Sequence, residues 1–173
     1  MPTNTYSPIS SQTLTGNAST ITINSFSGYT DLRVVISFFT SSGVQETVQL
    51  NGSGGAAYEQ MILNSFGSTM PLSGGYKVYN YSGRSDFYLY GGWTQNGTTI
   101  PAVIDLYFPY YANTSAYHYV FGSYYSGQAQ TGSTYNKDLW QGQWKSGAAI
   151  TSMVFNGAFA AGTVVQVFGI TEA

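Results

Sequence analysis

The one histidine is the residue best suited to serve as a catalytic base. His118 lies between Tyr117 and Tyr119 in a stretch with the composition of a β-strand. A nucleophilic triad needs such a base beside a serine on a sharp turn, and the chain contains no Gly-X-Ser-X-Gly sequence. We therefore interpret His118 as a hydrogen-bonded structural residue.

The carboxylates are spread along the chain, and no two of them are close in sequence. A glycosidase needs two carboxylates facing each other across a cleft, and a calcium loop needs oxygen ligands at alternate positions. Phosphate-binding glycine loops end in Gly-Lys-Ser/Thr, which is missing here. We interpret Asp31, at a strand start, as a turn or hydrogen-bonding residue. The sequence predicts no enzyme, no cofactor and no metal site. The seven carboxylates are Asp31, Glu46, Glu59, Asp86, Asp105, Asp138 and Glu172.

Tyrosine is the unusual component, with 16 copies concentrated in the middle of the chain. Its ring gives a large, rigid contact area with one polar group, which suits protein interfaces and also stacking on sugar rings. Neighbouring side chains on a strand point to opposite faces, so consecutive pairs cannot both be buried. Two such pairs are predicted to contribute to an interface: Tyr110 with Tyr111, and Tyr124 with Tyr125. Tyr117, Tyr119 and Phe121 are predicted to fill core and sheet-face positions.

Composition limits the classes of partner. Charged residues make up 7% of the 173 residues, while aromatic residues reach 17% and apolar residues 43%, so the chain can bury enough surface to fold. Five Lys and Arg residues offer little neutralisation of phosphates, which disfavours nucleic acid. The near-neutral net charge of −2 gives weak protection against self-association. The start of the chain shows no signal-peptide pattern and no apolar run is long enough to span a bilayer, which predicts synthesis in a cytoplasm and no membrane.

Short β-branched and aromatic runs alternate with Gly, Ser, Asn and Pro clusters, and helical periodicity is almost absent. This pattern predicts an all-β fold, a jelly-roll-like antiparallel β-sandwich in one domain over residues 1–173, with residues 1–8 as an N-terminal arm. Asn51-Gly52 and Asn156-Gly157 are predicted turns. The candidate strands are 19–24, 31–39, 46–50, 58–63, 76–81, 86–90, 101–108, 117–125, 135–144, 150–155 and 163–170.

Two apolar residues fall on the wrong face of a predicted core strand. In 31–39, alternation places Leu32 and its even-numbered neighbours inward, which leaves Val35 and Phe39 on the face that solvent would cover. Either the sheet is buried on both faces within the domain, or these residues contact another subunit. With the arm residues Pro2, Tyr6 and Pro8, they are the further candidates for a contact surface.

Both ends of the chain carry motifs in a matching order. The N-terminal part has Tyr6-Ser-Pro-Ile-Ser-Ser-Gln-Thr-Leu14 and Tyr29-Thr-Asp-Leu32, and the C-terminal part has Phe159-Ala-Ala-Gly-Thr163 and a strand closing in Gly169-Ile170. With Asn51-Gly52 and Tyr58, these stretches resemble a family of tailed-bacteriophage virion structural proteins. The resemblance covers about a third of the chain and is weak from Met61 to Lys145. We expect the Phe159–Thr163 motif to form a tight hairpin with Gly162 at positive φ and Phe159 beneath it.

The resemblance implies a component of the virion made in the bacterial cytoplasm. Its most direct form is a capsid decoration (cement) protein, a homotrimer that binds the major capsid protein and stabilises the shell through strand-edge hydrogen bonds and buried tyrosines. The alternative is a tail-fibre or receptor-binding module, in which exposed tyrosines and Trp93 stack on host-surface glycan.

Overall fold

Twelve antiparallel strands form the regular structure of the described residues, which are 6–41, 44–67, 76–90, 97–126 and 135–171 of the computed structural model. No helix occurs in these ranges, so they contain no helix that could cross a membrane. The strands are β1 (Tyr6–Thr13), β2 (Ala18–Asn24), β3 (Asp31–Thr40), β4 (Thr47–Leu50), β5 (Tyr58–Gly67), β6 (Tyr76–Arg84), β7 (Phe87–Tyr88), β8 (Gly97–Phe108), β9 (His118–Ser126), β10 (Tyr135–Trp144), β11 (Ser152–Phe159) and β12 (Val164–Ile170).

The strands form two layers that face each other across the core. The large layer has the order β1-β12-β3-β8-β9-β10-β5-β6, and the small layer has the order β2-β11-β4-β7. A single pairing between Phe159 and Thr40 joins them at one corner. The predicted fold class, an all-β antiparallel sandwich of jelly-roll type, is confirmed.

The core lies between the layers and is filled by every second residue of each strand. On β3 the side chains of Leu32, Val34, Ile36 and Phe38 are fully buried, as the alternation predicts. Rings from both layers meet there, since Phe87 of the small layer packs edge-on against Tyr58 of β5 with centroids 4.8 Å apart. Directional aromatic packing of this kind adds to the stabilisation that comes from burial itself.

Two glycines let bulky rings lie directly against the large layer. A Cβ added at Gly122 of β9 would come within 2.2 Å of the Trp140 indole, and one at Gly142 of β10 within 2.4 Å of the Phe87 ring. The Trp140 and Phe87 rings are themselves in contact, with centroids 5.8 Å apart. The inner face of β9 and β10 therefore has room for these rings only because both positions lack a side chain.

Tyr58 ties the Asn51-Gly52 turn to the core. Asn51 and Gly52 have φ values of 53° and 59°, as a type I′ turn requires, and the Ser53 amide donates to the Leu50 carbonyl at 2.9 Å. The buried Tyr58 hydroxyl accepts a hydrogen bond from the Leu50 amide at 2.9 Å and lies 3.2 Å from the Ser53 carbonyl. The Asn51 carboxamide oxygen in turn accepts from the Thr151 amide at 2.7 Å. The predicted turn is confirmed, and its residues join the middle of the chain to its C-terminal part.

The predicted turn after β11 is confirmed, but it does not form the predicted hairpin. β11 pairs with β2 and β4 of the small layer, whereas β12 pairs with β1 and β3 of the large layer, so the turn carries the chain from one layer to the other. Gly162 has φ 89°, Phe159 is fully buried against Phe38, and Thr163 accepts a hydrogen bond from the Phe39 amide through its hydroxyl at 3.2 Å. The Gly162 amide donates to the Leu14 carbonyl at 2.8 Å, which binds the N-terminal segment to this corner.

Two further local predictions are wrong. Residues 6–8 of the predicted arm belong to β1, a strand that the sequence did not suggest and that pairs with β12 from Tyr6 opposite Ile170 onward. Asn156-Gly157 lies inside β11 at a bulge, not in a turn, because Gly157 makes room for the buried Glu46, whose Cγ lies 2.4 Å from an added Cβ. Residues 1–5, including Pro2, lie outside the described residues.

Glu46 is a carboxylate buried between the layers. It is fully inaccessible, and the Tyr90 hydroxyl donates to its Oε2 at 2.6 Å. Burial raises the pKa of Glu46 above its ordinary value of 4.5, and the hydrogen bond from Tyr90 offsets only part of that rise. Its charged form is therefore disfavoured in the folded state relative to the unfolded one.

Replacing Gly122 with alanine is expected to destabilise the protein. The new methyl group would overlap the Trp140 indole, and overpacking of this kind costs about 1–3 kcal/mol. Thermal melting of Gly122→Ala against wild type measures the effect. Gly16→Ala, where an added Cβ meets nothing within 4 Å, is the control and should melt near the wild-type temperature. Equal melting of the Gly122→Ala variant and wild type would contradict the close packing.

Glu46→Gln is expected to change how stability depends on pH. Because the folded-state pKa of Glu46 is raised, its contribution to stability is present below the ordinary value of 4.5 and is lost as pH rises through the folded-state pKa. The free energy of unfolding of Glu46→Gln should thus rise relative to wild type between acidic and alkaline buffer, as measured by urea unfolding. The exposed Glu59→Gln is the control and should show no such gain. A constant difference between Glu46→Gln and wild type across pH would refute this prediction.

Candidate binding face

The outer face of the large layer carries a continuous row of exposed rings and apolar side chains; we call it the outer face. On β9, His118, Val120 and Tyr124 point into the core, while Tyr119 and Phe121 are 53% and 45% exposed. Of the core and sheet-face positions predicted for Tyr117, Tyr119 and Phe121, the structure places none in the core: Tyr119 and Phe121 lie on the outer sheet face, and Tyr117, just before β9, is 54% exposed. Both faces of this strand are aromatic or apolar, so alternation alone did not indicate which one is buried.

The two consecutive tyrosine pairs each have one ring inside and one outside. Strand alternation explains this for Tyr124 and Tyr125 in β9, whereas Tyr110 and Tyr111 lie in the turn after β8. Tyr111 and Tyr124 are 2% and 0% exposed, so the prediction that they contribute to an interface is wrong. Their partners Tyr110 and Tyr125 are 57% and 47% exposed and remain candidates. Tyr124 stacks on Tyr90 inside the core, with centroids 4.8 Å apart.

An ion pair lies among the rings of the outer face. The guanidinium of Arg33 on β3 donates to both carboxylate oxygens of Asp105 on β8, from Nε at 2.9 Å and from Nη2 at 2.5 Å. This bidentate contact raises the pKa of Arg33 and fixes the orientation of both groups. The pair lines a cavity of about 320 Å³, which we call the Arg33 groove. Its lining also includes Tyr6, Tyr107, Phe121, Gly122 and Ser123.

Asp31 holds the tyrosines at the end of β8. Its carboxylate accepts a hydrogen bond from the Tyr107 hydroxyl at 2.5 Å and from the Tyr110 amide at 2.8 Å. The first of these raises the pKa of Tyr107 to about 12, and the second supports Tyr110 in a backbone conformation with φ 47°. The predicted role of Asp31 as a hydrogen-bonding residue is confirmed. It orients the Tyr107 ring at the rim of the Arg33 groove.

A second cavity adjoins the first across β9. Tyr119 lies on the same face of β9 as Phe121, at about 7 Å along the strand. It faces Gln143 of β10, while Phe121 faces Gln141. This cavity, of about 450 Å³, is the amide groove. It is lined by Glu59, Gln60, Met61, Asn80, Tyr81, Ser82, Tyr119, Gln141, Gly142 and Gln143.

Aliphatic side chains cover the other end of the outer face. Leu139 of β10, Leu63 of β5 and Val78 of β6 lie directly opposite one another across three adjacent strands. Leu139 and Val78 are 59% and 58% exposed, which is unusual for apolar residues that are contiguous on a surface. With Met61 on β5, they form what we call the aliphatic patch. Among the described strands, β6 pairs only with β5, so the patch ends at a sheet edge.

The remaining candidate contact residues are dispersed. Tyr6 and Pro8 on β1 are exposed, and Tyr6 lines the Arg33 groove. Val35 is half-buried in the middle of the outer face, opposite Asp105. Phe39 is half-buried and packs against the Gly162 turn, within 3.4 Å of an added Cβ there. Pro2 and Trp93 lie outside the described residues. The structure therefore brings Tyr6 and Val35 near the Arg33 groove and separates them from Phe39.

His118 and the described carboxylates all contact polar partners. His118 is 2% exposed, stacks on Trp144 and lies 2.9 Å from the Ala148 carbonyl through Nε2, which confirms the structural interpretation. Burial lowers its pKa. The six described carboxylates each contact a donor: Asp31 and Glu46 as above, Asp105 with Arg33, Asp86 with Arg84, Glu59 with Lys145, and Asp138 with Asn64. Among these residues no cluster of three or more His, Asp and Glu is arranged to hold a metal.

Comparisons with known proteins give fold neighbours only. No family model and no curated protein matches the sequence. The structure is similar to the galectin LEC-6 of Caenorhabditis elegans, with 11% identity over 94% of this chain and 96% of that chain and a TM-score of 0.35. It is also similar to a xylan β-1,4-xylosidase from Bacillus halodurans C-125, with 8% identity over 82% and 27% of the chains and a TM-score of 0.28. The alginate lyase vAL-1 from Chlorella virus has 8% identity over 82% and 72%, with a TM-score of 0.25. Similarities of this size carry no inference about function.

Proposed function

We propose that this protein is a non-catalytic structural component of a tailed-phage virion, which attaches to the major capsid protein and stabilises the shell. The observation that carries the proposal is the aliphatic patch at the edge of the large layer. Leu139, Leu63 and Val78 form a contiguous apolar surface that water covers in the isolated chain. Covering such a surface with protein removes apolar area from water at about 25 cal/mol per Å².

The outer edge of β6, with which no other described strand pairs, supplies the polar half of the attachment. A strand of the partner that pairs with β6 would satisfy its outward backbone groups, and alternate side chains of that strand would extend over the aliphatic patch. Main-chain hydrogen bonds provide affinity in this mode, while the side chains provide register. The motifs at both ends of the chain, which resemble phage virion proteins, support the particle as the setting. Assembly as a homotrimer belongs to the same proposal.

A second candidate function is recognition of host-surface glycan by a tail-fibre or receptor-binding module. It is favoured by a different observation, the exposed rings and amides of the two grooves. Because those residues differ from the aliphatic patch, separate variants distinguish the two functions.

Substitution of the aliphatic patch is expected to weaken attachment to the shell. Leu139→Ser and Val78→Ser each remove an apolar side chain that is more than half exposed, so folding should be preserved while the buried contact is lost. Binding of purified protein to capsids that lack it, measured by co-sedimentation over a concentration series, should be saturable for wild type. Each variant should bind at least about tenfold more weakly.

Val44→Ser is the matched control for this experiment. Val44 is 53% exposed, close to the value for Val78, and precedes β4 on the small layer, away from the patch. It should attach like wild type, and thermal melting should be similar for all variants. No saturable attachment by the wild-type protein, or equal loss in the Val44→Ser and Val78→Ser variants, would overturn the proposal.

A further inference from the structure

We propose that the Arg33 groove and the amide groove together form a binding site for a neutral oligosaccharide, which lies across the strands of the outer face. The inference rests on the second candidate function, for which it names the class of ligand, and it uses residues outside the aliphatic patch. Phe121 stands at the junction, directly opposite Tyr107 of β8 and Gln141 of β10. One chain of sugars running across the strands would therefore contact both grooves.

The rings supply flat apolar surfaces of the size of a sugar ring. Tyr107, Phe121 and Tyr119 are all exposed on the outer face, and a β-sheet holds their backbones at fixed spacing, about 5 Å between strands and about 7 Å between alternate residues of one strand. The Tyr107 hydroxyl is held by Asp31, so this ring is oriented before a ligand arrives. Rigid rings bind with a small loss of conformational entropy.

The polar groups around the rings match hydroxyl groups. Gln141, Gln143 and Asn80 present amides, which both donate and accept hydrogen bonds, as a sugar hydroxyl does. Arg33 and Asp105 present a donor and an acceptor that their mutual bidentate contact already orients. A surface on which such polar groups alternate with rings is complementary to an amphipathic ligand that has C–H groups on its faces and O–H groups at its edges.

The charge balance selects a neutral ligand. Each described charged side chain that lines the grooves is paired with an opposite charge: Arg33 with Asp105, and Glu59 with Lys145. Single-stranded nucleic acid also stacks on exposed rings, but its binding surfaces need a positively charged path along the phosphates. A polyuronate would likewise meet no net positive charge here. Because the grooves combine rings and amides with no net charge, they favour neutral sugars.

The test begins with wild-type protein on an array of neutral and acidic bacterial surface oligosaccharides. Calorimetric titration with the strongest neutral probe then follows. We expect saturable binding to neutral probes and none to the acidic probes or to oligothymidylate. Phe121→Ala should weaken binding at least about tenfold. Phe121→Leu, which keeps an apolar side chain but removes the flat ring, should weaken it to a similar extent.

Tyr117→Ala is the control, because Tyr117 directly precedes β9 and is 54% exposed, but lines neither groove. It should bind within about twofold of wild type. The Leu139→Ser variant should keep glycan binding even if it loses the shell, which separates this inference from the proposed function. Absence of binding to every neutral probe overturns the inference. Equal glycan binding by the Phe121→Ala and wild-type proteins also overturns it. So does a result in which Phe121→Ala loses attachment to the shell while the wild-type protein binds no glycan.

Discussion

The close packing of Trp140 and Phe87 against the glycines of β9 and β10 is the constraint on which the rest of the structure depends. These rings fill the space between the layers, and they reach the backbone of the large layer only where Gly122 and Gly142 leave the inner face bare. Because side chains alternate along a strand, this packing commits His118, Val120 and Tyr124 to the core. Tyr119 and Phe121 must then face outward, so the packing of the interior determines the aromatic surface on the outside.

Few charges are used, and each one in the grooves has a defined place. Arg33 and Asp105 neutralise each other, while Asp31 receives hydrogen bonds from the Tyr107 hydroxyl and the Tyr110 amide. With these groups compensated, the outer face presents rings, amides and aliphatic side chains and little net charge. The free-energy cost of removing water from such a surface is small, because unpaired ions are the groups that are most costly to desolvate. This property suits both a protein partner and a neutral glycan.

The motifs that carry the resemblance to phage virion proteins are mainly structural. Phe159 and Gly162 form the corner where the layers meet, Asn51 and Tyr58 hold a turn against the C-terminal part, and Tyr29 packs on Gly169. The residues of the outer face lie mostly between Met61 and Lys145, where that resemblance is weak. The motifs at the ends therefore form a scaffold, whereas the middle of the chain holds the groups available for recognition.

The sequence by itself determined the features that depend on local chemistry. Alternation along β3 and β8 predicted the antiparallel sandwich. The local sequences around Asn51-Gly52 and Gly162 predicted two turns, and these three residues do have positive φ. The bulge at Asn156-Gly157 and the edge strand β1 were missed because both depend on a neighbour distant in sequence, Glu46 in one case and β12 in the other. The sequence did not decide which face of β9 is outward, for a related reason. Both of its faces are apolar or aromatic, and only packing against Trp140, brought alongside by the pairing of β9 with β10, decides which one water covers. The contact of Arg33 with Asp105, 72 residues apart, likewise exists only once the sheet has formed.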